Sequence, residues 1–135
     1  MPATFRTTRL VEFGDTDMAG IVHFAQFFRY MEAAEHQMLR SLGLSITIDW
    51  KGEKIGFPRV AASCDYLRPA RFDEELTINV KVSKLGRSSV TYSFEFFKEE
   101  ELIARGQITA VFCRVDGEGK MESCEMPPQV RAKLE

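Results

Sequence analysis

The chain contains 135 residues, of which 44% are hydrophobic and 28% are charged. This length fits one domain, residues 1–135, with a buried core, and the composition excludes disorder throughout the chain. The formal net charge is -2 and no basic block occurs, which argues against nucleic acid as the main partner.

The first ten residues, MPATFRTTRL, contain no apolar stretch of the kind found in signal peptides. No apolar run approaches the roughly 18 residues that a membrane-spanning helix needs, so we expect no membrane partner. Three cysteines without metal-binding spacing and only two histidines are present. We therefore expect free thiols in a reducing compartment, a cytoplasmic location and no metal site.

Residues 5–13, FRTTRLVEF, alternate loosely between apolar and polar side chains, which predicts a first strand. Residues 14–22 contain two glycines and two aspartates, which predict a loop. From Phe24 the apolar period changes from two to 3.6, which predicts a helix of about five turns over residues 24–42. Gly43 ends this helix, because glycine accepts the left-handed conformation that follows a helix terminus.

Residues 44–56 show no clear period and predict a loop. Four further strands are predicted at residues 59–67, 75–85, 88–98 and 102–115, with short connections that favour antiparallel hairpins. The C-terminal tail after the Pro-Pro pair predicts one or two helical turns.

One strand, one long helix and four more strands predict an α+β fold, with a five-stranded antiparallel sheet wrapped around one central helix. No helix separates the last four strands, which argues against a parallel sheet. In such a fold only one face of the sheet is covered. The other face or an edge can pair with a second copy of the chain, so we expect a homodimer at least.

The segment VEFGDTDMAGIVHFAQFFRYMEAAE resembles the hotdog-fold acyl-CoA thioesterases, specifically the 4-hydroxybenzoyl-CoA thioesterase family. The similar features are a strand followed by Asp-x-Asp, a Gly-[IV]-Val step and an aromatic-rich helix start. The later segments DYLRPARFDEELTINVKV and KLGRSS also resemble that family's sheet. The resemblance therefore covers essentially the whole chain.

The resemblance implies a hotdog fold with active sites at dimer interfaces, and because many members are tetramers it also implies a homotetramer. It identifies Asp17 as the catalytic carboxylate and the main-chain amide of Phe24 as the group that polarises the thioester carbonyl. It places Gly20 and Val22 among the substrate-binding residues. It implies no metal and no cofactor beyond the CoA part of the substrate.

The run at positions 23–26 departs from the family's pattern. Many relatives have Tyr-His-Ala-Asn or Trp-Tyr-Pro-Asn where this chain has His23, Phe24, Ala25 and Gln26. Because these side chains shape the acyl pocket, the acyl group stays open between aromatic and short to medium aliphatic groups.

The chemistry of thioester hydrolysis fits the same segment. A thiol of pKa about 8.5 leaves without a strong general acid. Unpaired N–H groups at the helix start, near His23 and Phe24, can hold the oxyanion, and one such donor accelerates the reaction about 100-fold. Asp17 can attack the carbonyl or act as a base on water, and the sequence leaves both routes open.

Other roles exist for each polar residue of this segment. Loop aspartates often serve as turn or capping residues, and we interpret Asp15 in that way. His23 either orients water or the acyl group, or is a packed histidine. Glu32 and Glu35 are typical of solvated or interface positions, although Glu35 is an outside candidate because a second hotdog thioesterase lineage uses a helix glutamate.

The CoA phosphates require cations and hydrogen-bond donors. The KLGRSS turn supplies Lys84, Arg87 and Ser88, and the YLRPAR loop supplies Arg68 and Arg71. Exposed basic turns often have no particular role, and it is the resemblance that selects Arg87 and Ser88 as substrate-binding residues.

The sequence therefore predicts an acyl-CoA thioesterase whose partner is its acyl-CoA substrate. The alternative enzyme is a hotdog enoyl-CoA hydratase or dehydratase that uses His23 with Asp17. The alternative from another class is a noncatalytic module that binds acyl-CoA.

Overall fold

A computed structural model of the chain describes residues 2–135. In chain order its strands and helices are β1 (Thr4–Leu10), α1 (Gln26–Ser41), β2 (Ile48–Trp50), β3 (Glu53–Gly56), β4 (Arg59–Tyr66), β5 (Glu75–Leu85), β6 (Ser89–Lys98), β7 (Glu101–Val111), β8 (Cys113–Val115), β9 (Met121–Ser123) and α2 (Pro128–Leu134). A single 3-10 turn also lies at Phe13–Asp15.

The main sheet has five antiparallel strands in the order β1-β5-β6-β7-β4. The register pairs Leu10 with Glu75 at one end of the sheet and Leu85 with Val90 at the other. Alternate residues of β5 and β6 are buried towards α1, as the period of two predicts, and they are Leu76, Ile78, Val80, Val82, Val90, Tyr92, Phe94 and Phe96. The α+β arrangement of a five-stranded antiparallel sheet around a helix is confirmed.

Helix α1 lies directly on the sheet because its apolar stripe meets a glycine there. Phe27 packs edge-to-face on Phe96 at 5.2 Å between ring centroids. A Cβ placed on Gly106 would lie 2.6 Å from the sulfur of Met31 and 2.8 Å from the carbonyl oxygen of Ser63. The close approach of helix and sheet therefore requires glycine at this position.

The predicted helix is longer than the observed one. Helix α1 has 16 residues and begins at Gln26, so Phe24, expected in the first turn of the apolar stripe, precedes the helix and is 63% exposed. The Gln26 N–H bonds the His23 carbonyl at 2.8 Å. A turn thus precedes the helix. The residues of this turn continue the 3.6-residue apolar period, although they lie outside α1.

The predicted loop at residues 44–56 is wrong, because β2 and β3 form a hairpin there. Lys51 and Gly52 both have positive φ and close the turn between them. Strands of three and four residues are too short to show a period. This hairpin belongs to a second sheet of four strands, in the order β2-β3-β8-β9.

The predicted strand at residues 102–115 is divided between the two sheets. Strand β7 stays in the main sheet, whereas β8 pairs with β3 in the second sheet. Between them Phe112 is fully buried, and its N–H bonds the Ser88 carbonyl at 2.7 Å. The predicted C-terminal turns are confirmed as α2.

Among residues 2–135, no helix is both long and apolar enough to cross a membrane. The three cysteines are unpaired: Cys113 is buried, whereas Cys64 and Cys124 are half-buried.

Candidate active site

Asp17 occupies a tight turn between β1 and α1. Its N–H bonds the Ile21 carbonyl at 2.8 Å, and its carbonyl accepts the Gly20 N–H at 2.9 Å. Gly20 has φ +81°, a conformation that glycine adopts without strain. An isolated bridge between Thr16 and Val22 closes the turn. These bonds hold Asp17 beside the segment that leads into the helix.

The two carboxylate oxygens of Asp17 have different surroundings. Oδ1 accepts the main-chain N–H of Ala19 at 2.8 Å and that of Ile21 at 3.4 Å. Oδ2 makes no hydrogen bond within residues 2–135, and the residue is only half-buried. The side chain is therefore held through one oxygen while the other can meet a substrate or a water molecule.

Asp15 ties this loop to the body of the helix. Its Oδ2 accepts the Tyr30 hydroxyl at 2.8 Å and the Glu12 N–H at 3.0 Å, and its carbonyl accepts the His23 N–H at 2.9 Å. Burial, and then the bond to Asp15, raise the pKa of Tyr30, so the phenol stays a donor. Asp15 thus bonds its own loop's backbone, as the sequence predicts, and adds a helix contact that the sequence does not show.

Of the two amides expected near the oxyanion, one is already engaged. The His23 N–H donates to the Asp15 carbonyl, whereas the Phe24 N–H donates to no acceptor within residues 2–135. The Phe24 carbonyl accepts the Tyr66 hydroxyl at 2.8 Å, and the Ala25 N–H donates to His23 Nδ1 at 3.1 Å. The Phe24 amide is therefore the available donor at the helix start.

Tyr66 was missed by the sequence analysis, although it ends β4 and contacts the helix start. Its ring packs edge-to-face on Phe27 at 5.4 Å between centroids. Its position in the sequence, at the last residue of a strand with a polar tip, is the signal that could have pointed to it.

Large apolar side chains are exposed around this turn. Phe13 and Phe72 pack edge-to-face at 6.0 Å between centroids. The exposed apolar set at this end of the sheet is Leu10, Phe13, Met18, Phe24, Tyr66, Leu67 and Phe72; we call it the apolar rim. Such a concentration of exposed apolar area is typical of a binding surface for an apolar ligand or another protein.

The other substrate-binding candidates near the turn differ in accessibility. Gly20 is exposed, but Val22 is 4% exposed and its N–H bonds the Ala70 carbonyl at 2.8 Å. The structure thus gives Val22 a packing position. An isolated bridge between Ile21 and Arg71 places the YLRPAR loop beside the Asp17 turn.

Arg87 and Ser88 lie at the opposite end of the sheet from Asp17. Strand β5 has 11 residues and is therefore about 34 Å long, and it separates the two ends. Arg87 and Ser88 line a pocket of about 230 Å³ with Arg114, Ser123, Cys124 and Glu125. The Arg87 guanidinium lies 3.8 Å from the Glu125 carboxylate. One chain thus does not bring the predicted CoA-binding residues to Asp17.

Glu35 is enclosed in the core, so the expectation of a solvated position is wrong. It is 1% exposed, and its Oε2 accepts Arg59 Nη1 at 2.9 Å. Its Oε1 is buried without a hydrogen-bond partner within residues 2–135. Burial raises the pKa of Glu35, and the Arg59 charge opposes that rise. A buried, paired carboxyl of this kind is not available to a substrate at the helix start.

A concave region of about 990 Å³ lies on a different surface. It lies on the sheet face turned away from α1 and is lined mainly by polar side chains, among them Arg6, Asp65, Asn79, Lys81, Glu95 and Arg105. None of the residues around the Asp17 turn contributes to it. Among residues 2–135, no three His, Cys, Asp or Glu side chains come together in a way that could hold a metal ion.

Comparisons with known proteins concern the family and the fold of the whole chain. The model of the thioesterase-like superfamily matches residues 11–134. A 1,4-dihydroxy-2-naphthoyl-CoA hydrolase of Prochlorococcus marinus is 31% identical over 107 residues, which are 74% of this chain and 71% of the hydrolase.

Two solved structures are similar over nearly their full length. The crystal structure of a 1,4-dihydroxy-2-naphthoyl-CoA thioesterase from Synechocystis aligns with a TM-score of 0.85 at 27% identity, covering 98% of this chain and 96% of that chain. The structure of a gentisyl-coenzyme A thioesterase aligns with a TM-score of 0.81 at 31% identity, covering 96% of this chain and 98% of that chain.

Proposed function

Because this chain belongs to the thioesterase-like superfamily and is an acyl-CoA thioester hydrolase, we propose that Asp17 and the Phe24 N–H carry out its reaction. One observation carries the proposal: a carboxylate with one oxygen unengaged lies in the closed turn that leads to the helix start, where an amide lacks an acceptor. Thioester hydrolysis requires that pair of groups, an attacking or activating oxygen and an oxyanion donor.

The bond-making and bond-breaking steps use Asp17 and the Phe24 N–H of one chain. The thioester carbonyl oxygen accepts the Phe24 N–H, which stabilises the negative charge that develops there. Asp17 Oδ2 then either bonds the carbonyl carbon, giving a mixed anhydride that water cleaves, or takes a proton from the water that attacks. In both routes the carbon–sulfur bond breaks and the CoA thiolate leaves with the electron pair.

The acyl group in this proposal is aromatic. The similar thioesterases act on 1,4-dihydroxy-2-naphthoyl-CoA and gentisyl-CoA, and both acyl groups are aromatic. In this chain the apolar rim around Asp17 includes Phe13, Phe24 and Phe72. Aromatic rings pack favourably on one another in edge-to-face or offset arrangements, so these side chains suit a flat acyl group better than a flexible chain.

The complete site in this proposal needs two chains. Arg87 and Ser88 are separated from Asp17 by the length of β5, about 34 Å, and the apolar rim is exposed in the single chain. A homodimer that covers the rim would let the partner bring its own phosphate-binding turn to Asp17. The family resemblance further implies a homotetramer made of two such dimers.

A hydratase is disfavoured by the same contacts. That chemistry would use His23 and Asp17 as a pair, but Nδ1 of His23 accepts the Ala25 N–H and Oδ1 of Asp17 accepts the Ala19 N–H. No hydrogen bond joins the two side chains within residues 2–135. We therefore expect no addition of water to an enoyl-CoA.

The test is release of thiol from a panel of aromatic and aliphatic acyl-CoA substrates. We expect the highest kcat/KM for aromatic acyl groups, and a loss of at least about 1,000-fold in kcat for Asp17→Asn. The matched control is Asp49→Asn, the same change at an exposed aspartate in the second sheet, which should keep full activity. Wild-type kcat/KM in Asp17→Asn would remove Asp17 from the mechanism.

A further inference from the structure

Two hydrogen bonds connect Tyr66 to the His23 ring through one peptide group. The Tyr66 hydroxyl donates to the Phe24 carbonyl at 2.8 Å. The N–H of that same peptide group belongs to Ala25 and donates to His23 Nδ1 at 3.1 Å. The His23 ring also stacks on the Phe24 ring at 4.6 Å between centroids, with 25° between their planes. The imidazole is therefore held on its Nδ1 side and on one face.

We propose that Tyr66 is a positioning residue that, through the Phe24–Ala25 peptide, holds the His23 ring with Nδ1 as acceptor, so that Nε2–H donates a hydrogen bond to the substrate. This inference rests on the proposed function of the same site. It assigns His23 a role as donor and gives Tyr66 a role in catalysis without contact with the reacting atoms.

The tautomer of His23 follows from the identity of its donor. A main-chain N–H can only donate, so Nδ1 must be the acceptor and carries no proton. In a neutral imidazole the proton then resides on Nε2. His23 is exposed at the helix start, and its remaining nitrogen is thus a hydrogen-bond donor available to a thioester carbonyl or to the acyl group.

Tyr66 strengthens this arrangement by polarisation. A hydrogen bond to a carbonyl oxygen makes the N–H of the same peptide group a better donor, because bonds in a chain polarise one another. Burial raises the pKa of Tyr66, and the Cys64 thiol raises it further, so the phenol keeps the proton that it donates. Removing the hydroxyl therefore weakens the Ala25 bond to His23 and loosens the imidazole.

The experiment combines kinetics with nitrogen NMR of the histidine rings. Tyr66→Phe removes the hydroxyl and leaves the ring that packs on Phe27. We expect kcat to fall about tenfold and KM to change less than about twofold, as for loss of one hydrogen bond that orients a transition-state donor. The control is Tyr92→Phe, the same change at a buried tyrosine, which should keep kcat.

The NMR measurement is independent of catalysis. The chain has two histidines, His23 and His36, so [15N]histidine labelling gives two ring systems in the substrate-free protein. We expect the Nε2–H tautomer for His23, and we expect Tyr66→Phe to shift the His23 nitrogens while those of His36 stay in place. An unchanged His23 ring in Tyr66→Phe would overturn the proposal, whatever Asp17→Asn does to activity.

A double-mutant cycle separates positioning from a general structural role. If Tyr66 acts through His23, then Tyr66→Phe has no further effect on kcat in a His23→Gln background. Equal tenfold losses in both backgrounds would contradict the proposal, as would wild-type kcat in Tyr66→Phe. If Asp17→Asn loses activity but Tyr66→Phe lowers kcat equally in the wild-type and His23→Gln backgrounds, the proposed function stays in place and only this inference is removed.

Discussion

Asp17 and Glu35 are carboxylates associated with the same helix, and they differ in burial and in the groups that bind them. Asp17 is half-buried in the turn before α1 and is held by two main-chain N–H groups. Glu35 is 1% exposed in the middle of α1 and is paired with one guanidinium, with its other oxygen unpartnered. Main-chain donors fix a charge at the surface without removing it from water, whereas burial requires a countercharge and raises the free energy of the ionised form.

Under the proposed function the Asp17 carboxylate reacts with the substrate, whereas the Glu35 carboxylate affects the stability of the fold. A substrate can reach an unengaged oxygen of a half-buried side chain, but it cannot reach a side chain enclosed in the core. The two positions should therefore respond to mutation in different measurements, activity for Asp17 and unfolding for Glu35.

The largest effect on stability should come from removing the countercharge of Glu35. Arg59→Met leaves a buried carboxyl without its cation, and we expect the free energy of unfolding in urea at pH 7 to fall by about 3 kcal/mol. The control is Arg105→Met, whose partner Asp65 is exposed, and which should cost less than about 1 kcal/mol. Equal losses in the two variants would mean that burial of Glu35 contributes no penalty.

A smaller effect should appear in the pH dependence of unfolding. Burial raises the folded-state pKa of Glu35 above its usual value of 4.5, so above that value the folded state holds a proton that the unfolded state has released. The associated stability is fully present below the unfolded pKa and is lost as pH rises through the folded one, with a slope of at most about 1.4 kcal/mol per pH unit.

Glu35→Gln removes this titration, so its stability should not fall with pH in that window, and the difference from wild type should grow with pH. Urea unfolding at a series of pH values measures it. The control is Glu118→Gln, the same substitution at an exposed turn residue. Parallel pH curves for wild type and Glu35→Gln would contradict the assignment.

The next effect concerns the bond that ties the Asp17 loop to the helix. Tyr30→Phe removes the hydroxyl that donates to the buried Asp15 carboxylate, and we expect a loss of about 1 kcal/mol in the free energy of unfolding. The carboxylate keeps the Glu12 N–H, so the loop should stay folded and activity should fall only a few-fold. Thermal unfolding and the thiol-release assay measure the two effects, with Tyr92→Phe as the hydroxyl-deletion control.

The sequence predicts the parts of this molecule that depend on long periodic segments. The alternation of residues 75–85 and 88–98 predicts β5 and β6 almost to the residue, because eleven or ten residues with one buried face leave a clear pattern. The second sheet escapes prediction because three of its strands have three residues and one has four. These strands form by pairing with segments distant in the sequence, so the local sequence carries no periodic pattern that predicts them.

The residues of the candidate site also differ in whether the sequence can predict them. Asp17 and Phe24 can be proposed from a motif that is continuous in the sequence. Tyr66 cannot, because it reaches Phe24 across 42 positions in the chain. The burial of Glu35 also depends on a distant partner, since Arg59 lies in β4. Contacts of this range arise from tertiary packing, which explains why the charge pattern of the helix alone gives a solvated position for Glu35.

The smallest expected effect is at Arg87, which is exposed and 3.8 Å from Glu125. We expect Arg87→Ala to leave kcat unchanged and to raise KM for an acyl-CoA about threefold, as for loss of one exposed charge contact to phosphate. Lys120→Ala, which removes an exposed cation from another turn, is the control and should leave KM unchanged. An unaltered KM in Arg87→Ala would mean that this turn does not contact the substrate.

Mixing variants shows whether Arg87 acts on the Asp17 of its own chain. In a large excess of Asp17→Asn chains, each Arg87→Ala chain pairs with an Asp17→Asn chain, which still carries Arg87. If the site is shared between two chains, the remaining Asp17 regains an arginine and KM returns to the wild-type value. If both residues serve one site in one chain, KM stays threefold high. An excess of the Asp17→Asn, Arg87→Ala double variant is the control, because it pairs equally well and brings no arginine.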